Sequence, residues 1–283
     1  MPYPQFPSPY LDRLAVILVR ARNPQNIGAV ARAMHDFGFT DLRIVNDFPV
    51  PLEAARSAID ASAILAAATE FPSVAAAIAD CTLVLGTTAV GERDLQHPLH
   101  TLAEAAPGIH TELAGASDTR VALLFGSEKT GLSNEELSHA NALLTIPMQP
   151  YPDRRHPSMN LGQAVAVCLY ELNRTEPSLS GAAPGAISEA VPGCQDLREL
   201  RRPRISASRP GLAPKPATGA EQERLTALFE EVLAASEYTR HHPANSETAD
   251  IRRLLLRLNI SQTDAPVLMG VLRQVLWKLR NSS

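Results

Sequence analysis

Residues 14–19 read LAVILV, six apolar residues with no polar one among them. A strand with one wet face alternates apolar and polar side chains, so an unbroken run marks a strand covered on both faces, as in a parallel sheet flanked by helices. Shorter, mostly apolar runs recur at 42–45, 81–85, 121–125 and 143–146. Between them the spacing turns helical. Ile27, Val30, Ala31, Met34 and Phe37 make one stripe, with Gly38 placed to end that helix. Residues 54–68 are alanine-rich and 71–79 read as a second helical piece, while Ser133 and Glu136 form a capping box for a later helix. Five strands alternating with helices predict an α/β fold with a mostly parallel sheet, which binds ligands at the carboxyl ends of its strands. The polar and glycine-rich residues gather at those ends: Asn26, Thr87, Gly126, Glu128, Ile146 with Pro147, and Ser158.

The stretch 143–172 carries the sharpest local signal. An apolar run stops at Pro147, a loop rich in proline and arginine follows, and after Ser158-Met159-Asn160 a helical stripe begins with Leu161, Ala164, Val165, Cys168, Leu169 and Leu172. Ser158 and Asn160 stand where a helix starts, with side chains suited to capping and backbone N–H groups short of partners. Arg32 lies off the apolar stripe of the first helix, in line with Gly28 and Asp36. Read alone, the first two residues are caps and Arg32 is a solvated surface arginine.

A net charge of −4 excludes nucleic-acid binding by bulk charge and leaves room for a local basic face. No G-x-G-x-x-G follows the first strand, and no G-x-x-x-x-G-K-[ST], G-x-S-x-G or H-E-x-x-H occurs anywhere. Cys81, Cys168 and Cys194 lack metal or disulfide spacing, the histidines do not cluster, and His241-His242 reads as an exposed turn. No metal site is expected. No apolar run approaches the ~20 residues that span a bilayer, and the N-terminus has no signal-peptide pattern, so a cytoplasmic protein without a membrane partner is expected.

The chain divides into a proline-rich arm (1–12), an α/β domain (13–174), a basic linker rich in Pro, Gly, Ser and Ala (175–220) and a helical extension (221–283). The linker's arginines are either a solvated tether or an RNA contact. In the extension Leu225, Leu228, Phe229, Val232 and Leu233 form a stripe, followed by helical segments at 251–258 and 265–279. These two segments carry a basic excess, and Trp277 is expected as a core anchor.

Three segments together resemble the SPOUT superfamily of RNA methyltransferases, in its SpoU/TrmH group, and within that the TrmJ-like enzymes. They are Asn23-Pro24-Gln25-Asn26-Ile27-Gly28-Ala29-Val30-Ala31-Arg32-Ala33-Met34, then Phe125-Gly126-Ser127-Glu128-Lys129-Thr130-Gly131-Leu132-Ser133, then Ile146-Pro147 with Ser158-Met159-Asn160-Leu161. Their order and separation match the group over about residues 13–174, and the C-terminal helices look like the TrmJ-type extension. The resemblance implies a sheet whose C-terminal part is tied in a trefoil knot. It also implies a homodimer, and S-adenosylmethionine held near Thr87, Thr88, Ala89, Gly126, Ile146, Ser158 and Met159. It places Arg32 at the ribose 2′-hydroxyl, as base or as a group that binds phosphate and polarises the hydroxyl, with Asn26, Glu128, Ser158 and Asn160 positioning it. Met159 stands where leucine is commoner in the group, and Ser127 where many members differ.

The activity implied is S-adenosylmethionine-dependent 2′-O-methylation of tRNA in the anticodon loop. Ribosomal RNA as substrate, an inactive RNA-binding member of the fold, and a small-molecule α/β enzyme that does not use this cofactor are the competing readings.

Overall fold

The computed structural model describes residues 11–48, 62–89, 97–114, 117–149, 158–174 and 215–281. Its centre is a seven-stranded sheet of β1 (Leu14–Val19), β2 (Asp41–Val45), β3 (Thr69–Phe71), β4 (Leu83–Thr87), β5 (Leu99–Thr101), β6 (Val121–Phe125) and β7 (Ala142–Thr145), in the order β3-β2-β1-β6-β4-β7-β5. Every strand pair is parallel. In β1, an interior strand, Val16 lies beside Leu42 on one side and Leu123 on the other.

The unbroken apolar run of β1 is explained by burial on both faces. Leu14, Val16 and Leu18 point into a core with α1 (Pro24–Phe37), α2 (Ser62–Ala67), α4 (Leu102–Ala114) and α6 (Leu161–Arg174). Ala15, Ile17 and Val19 point the other way, toward α3 (Val74–Ala77), Leu132 and α5 (Asn134–Leu137). Successive side chains on a strand face opposite ways, so one hexapeptide serves two cores.

Helix α1 begins with Pro24 at its first position and with the Asn23 side chain accepting from the Gln25 N–H at 3.0 Å. It ends where expected, at Gly38, whose φ of 81° lets its N–H turn back to the carbonyls of Met34 and His35. The capping box of Ser133 and Glu136 forms as expected around α5.

Two strands escaped the sequence reading. Phe71, expected in a helix, ends β3, and β5 was not expected at all; both are three-residue strands at the sheet's edges. Strands this short carry too little periodicity to read, and pairing with β2 and β7 makes them strands. The third predicted strand is displaced by two residues, to Leu83–Thr87. Of the expected alanine-rich helix only the part from Ser62 is among the described residues. Residues 150–157, part of the segment 146–160 to which the expected trefoil knot is partly assigned, the arm up to residue 10, Cys194 and residues 175–214 of the linker lie outside them.

After residue 215 come α7 (Gly219–Ala235), the one-turn α8 (Tyr238–His241), α9 (Thr248–Arg257) and α10 (Asp264–Arg280). Their shared core is Ala217, Leu225, Ile251, Leu255, Ile260, Ala265, Met269 and Leu272, with Leu228, Phe229, Val232 and Leu233 partly buried against it. Trp277 is not part of it. The inward row of α10 runs through Ala265, Met269, Leu272 and Leu276, and Trp277, one residue past that row, is 58% exposed.

These helices attach at the amino end of the sheet. The N–H groups of Gly219 and Ala220 donate to the carbonyls of Cys81 and Ala79 ahead of β4, and Lys215 pairs with Asp118 ahead of β6. Arg252, only 6% exposed, donates to Glu223 at 2.8 Å, Ser138 Oγ at 2.6 Å and Glu135 at 3.0 Å. Burial would push the Glu223 carboxyl up, but bonds from His139 and Arg252 hold it below its ordinary value. The basic excess read from this segment is therefore partly spent inside the protein: Arg252 is buried, and Arg253 and Arg280 pair with Asp250 and Glu231.

Candidate active site

Strands β1 and β6 are neighbours, and their carboxyl ends release the chain in opposite directions, toward β2 and toward β7. A crevice opens at such a reversal of strand order. The segment 20–26, which runs into α1, and the segment 126–136, which runs into α5, meet there. Gly126 makes the loop of the second segment possible: a Cβ on it would stand 2.1 Å from the Gly131 backbone, and Gly131 itself has φ of 66°. The loop closes on a Gly131 N–H to Ser127 carbonyl bond of 2.8 Å and a Ser127–Thr130 hydroxyl contact of 2.8 Å.

The turn presents Glu128 to the start of α1. Its Oε1 accepts from Asn26 Nδ2 at 3.0 Å and the Asn23 N–H at 3.2 Å, and its Oε2 accepts from the Arg22 N–H at 3.4 Å. Partial burial pushes the Glu128 carboxyl up, but these bonds, Asn26 foremost, hold it below the usual carboxylate range, so it is ionised at neutral pH.

Asn26 Oδ1 in turn accepts from Asn160 Nδ2 at 3.0 Å, and Asn160 Oδ1 accepts from the N–H groups of Gly162 and Gln163 at the start of α6. Both amide orientations are forced. A carboxylate only accepts and a backbone N–H only donates, so the two ends of the relay leave each asparagine one way to point. Asn160 is the cap of α6, and Ser158, two residues before that cap, is exposed. Close packing brings the relay together: a Cβ on Gly162 would lie 2.6 Å from Ala29 Cβ, so glycine lets α6 rest on α1.

The structure thus joins Glu128, Asn26 and Asn160, one from each of the three sequence segments. Arg32 stands further along α1, its side chain 51% exposed and its Nε 3.8 Å from Asp36. Thr87 ends β4 and Thr88 and Ala89 follow it, Gly126 follows β6 and Ile146 follows β7, three adjacent strands; Met159 is half-buried just before α6. Thr87 Oγ1 donates to the Leu124 carbonyl at 2.8 Å, and the Thr88 N–H donates to the Leu144 carbonyl at 2.9 Å.

Sequence reasoning missed Arg20. It ends β1 with φ of 56°, and its guanidinium grips Glu136 through Nε at 2.6 Å and Nη2 at 2.9 Å while Nη2 also reaches the Gly131 carbonyl at 3.1 Å. The one available signal was the capping box, which leaves a carboxylate oxygen of Glu136 to be paired. Arg43, inside a run read as a strand, was also passed over. It is buried at the amino side of the sheet between Asp41, Asp80 and the Ala77 carbonyl, and belongs to the scaffold.

The family model described as SpoU rRNA Methylase family matches residues 13–170, more than half of the chain, and the chain belongs to that family. It is 40% identical over 162 residues to "Uncharacterized tRNA/rRNA methyltransferase LasT" of Escherichia coli K12, covering 56% of this chain and 68% of that one. It is 29% identical over 266 residues to the tRNA (cytidine/uridine-2'-O-)-methyltransferase TrmJ of the same strain, covering 94% and 96%. Among solved structures, TrmJ from Z. mobilis ZM4 superposes with a TM-score of 0.69 at 29% identity, over 92% of this chain and 98% of that one.

Proposed function

We infer that the chain is an S-adenosylmethionine-dependent methyltransferase acting on a ribose 2′-hydroxyl of tRNA, in the anticodon loop. The observation that carries this reading is the relay from Glu128 through Asn26 and Asn160, which ties the start of α1, the helix that carries Arg32, to the turn after β6 and to the start of α6. The near full-length likeness to enzymes named for 2′-O-methylation of tRNA cytidine and uridine supports the substrate.

The donor set fits the cofactor. Thr87, Thr88, Ala89, Gly126, Ile146, Ser158 and Met159 offer backbone groups, hydroxyls and apolar walls, and no charged side chain, around the ends of three neighbouring strands. Bound there, S-adenosylmethionine supplies an electrophilic methyl group. The chain's own part is to hold the ribose in line with it and ease the proton off the hydroxyl. Arg32 is the group assigned to that hydroxyl. A guanidinium keeps its proton at neutral pH, so it polarises the hydroxyl and binds the adjoining phosphate, and the proton passes to solvent. Glu128, Asn26 and Asn160 fix the helix that carries it, and Ser158 lines the approach.

The reading includes a cytoplasmic location and a homodimer, and the homodimer is supported by an apolar surface where Phe37 of α1 meets Tyr170 of α6, with Val167 beside it, all at least partly exposed. Among the described residues no helix is long and apolar enough to cross a membrane. It also includes a methyltransferase domain at 13–174 carrying the C-terminal helices through the linker. Labelled methyl transfer to unmodified tRNA transcripts and, in parallel, ribosomal RNA fragments tests the proposal. Label mapped to an anticodon-loop ribose is the expected result; label confined to ribosomal RNA overturns the substrate.

A further inference from the structure

Two segments form the site, and each reaches across to brace the other. From the 126–136 segment, Glu128 accepts from Arg22, Asn23 and Asn26. From the 20–26 segment, Arg20 returns the contact, gripping both oxygens of Glu136 and the Gly131 carbonyl. Glu136 is itself tied to the Ser133 N–H at 2.6 Å. One brace is made near the start of the tight turn at 127–131, at Glu128, and the other at its end and beyond, at Gly131 and Glu136, and together they close a ring: Arg20, Glu136, the turn, Glu128, and back through Asn23 to Arg20.

Three features mark Arg20 as more than a surface ion pair. Its backbone sits in the left-handed region at φ of 56°, which a residue with a long side chain adopts only when its surroundings hold it there. Its own N–H donates to the Val45 carbonyl at 2.8 Å, so the strained residue is fastened to β2 as well. Its fork meets the carboxylate with two nitrogens, the planar arrangement that a lysine cannot reproduce. Burial lowers and Glu136 raises the Arg20 proton affinity, and the Glu136 bond prevails.

We propose that Arg20 is a positioning residue for methyl transfer: through Glu136 and Gly131 it holds the 126–131 turn so that Glu128 keeps Asn26, and with it the start of α1, in register. The proposal rests on the methyltransferase reading. It concerns a residue that the three family-like segments do not include and that acts through Glu136 and Gly131.

The test compares wild type with Arg20→Gly and Arg20→Lys in the full-length chain. Glycine removes the side chain and also relieves the left-handed backbone, so folding is preserved while the brace is lost. In Arg20→Gly, kcat for tRNA methylation falls by about tenfold, in keeping with the sensitivity of aligned reactions to small displacements. KM for tRNA stays within about twofold, because an inward-facing guanidinium is not an RNA contact. Arg20→Lys recovers about a third of the lost rate. Amide exchange gives a readout free of turnover: amides of 127–133 exchange at least ~10-fold faster in Arg20→Gly, while those of β1 and β6 do not change.

An unchanged kcat in Arg20→Gly overturns the proposal. So does a large rise in KM for tRNA with kcat intact, which would make Arg20 an RNA contact. If wild type methylates no RNA, the functional reading falls and the positioning role with it, whatever the exchange data say of the brace.

Discussion

Asn26→Asp is the most informative single change, because it alters one atom's chemistry at the middle of the relay and almost nothing of its shape. Asn26 now donates to Glu128 Oε1 across 3.0 Å. The substitution puts a second carboxylate oxygen at that distance. Two unit charges 3.0 Å apart repel by ~1.4 kcal/mol at the dielectric of water and by ~2.8 kcal/mol at half that value. Loss of the donated bond adds about 1 kcal/mol, below the usual range for a bond to a charged acceptor because the site is open to solvent. The sum, about 2–4 kcal/mol at pH 7.5, lowers the melting temperature by on the order of 10 °C. Methyl transfer falls with it, since α1 loses its register.

Acid should close the gap. In wild type the folded Glu128 carboxyl sits below its ordinary value near 4.5, so the unfolded chain binds the proton more readily. The contribution of Glu128 is then complete above that value and is lost as pH falls through the lower, folded one. In the variant the two facing carboxylates favour sharing a proton, which raises one of them when folded, so the variant gains stability as pH falls through that raised value toward the ordinary one, above the window in which wild type loses it. Denaturant titrations of both proteins at pH 7.5 and 4.5 therefore show the difference shrinking. A variant as stable as wild type at pH 7.5, or a gap that widens with acid, would refute the relay.

Three further outcomes follow from the geometry. Arg32→Ala lowers methyl transfer by on the order of 10²-fold, as loss of one positioned donor does, while an exposed pair at 3.8 Å contributes at most about 0.5 kcal/mol to stability; calorimetry with S-adenosylmethionine shows affinity within about threefold of wild type, and collapse of cofactor binding would make Arg32 structural. Gly162→Ala places a methyl 2.6 Å from Ala29 Cβ and costs about 1–3 kcal/mol in denaturant unfolding; adding Ala29→Gly recovers most of it, and a neutral single variant contradicts the close α1–α6 packing. Arg252→Ala leaves half-buried Glu223 with His139 but without the bonds from Arg252, and costs about 3 kcal/mol, the low end for a broken buried pair because His139 stays and Glu135 reaches solvent. Arg252→Met, which fills the space, costs less, and equal losses would mean that volume alone matters.

The central strands and the first helix were legible because their signals are local. An unbroken apolar hexapeptide has to be covered on both faces, a stripe at helical spacing has to bury one side, and Gly38 and Ser133 carry their roles in their own backbone and side chain. The residues of the relay were named from the sequence by resemblance, and their contacts with one another were not. Asn26, Glu128 and Asn160 are separated by more than a hundred residues along the chain on one side and meet only because β1 and β6 are neighbours and Gly162 admits α6 onto α1.

What the sequence determined by itself, then, is what a short window can enforce: the type of most elements, several of their ends, and the chemical groups set at the carboxyl ends of the strands. The tertiary structure alone decided the strand order, the edge strands β3 and β5, the exposure of Trp277, the burial of Arg252 and Arg43, and the grip of Arg20 on Glu136. Each of these depends on a partner distant in the chain. A three-residue strand exists only beside the strand that pairs with it, and a buried guanidinium is tolerable only where carboxylates from other elements meet it.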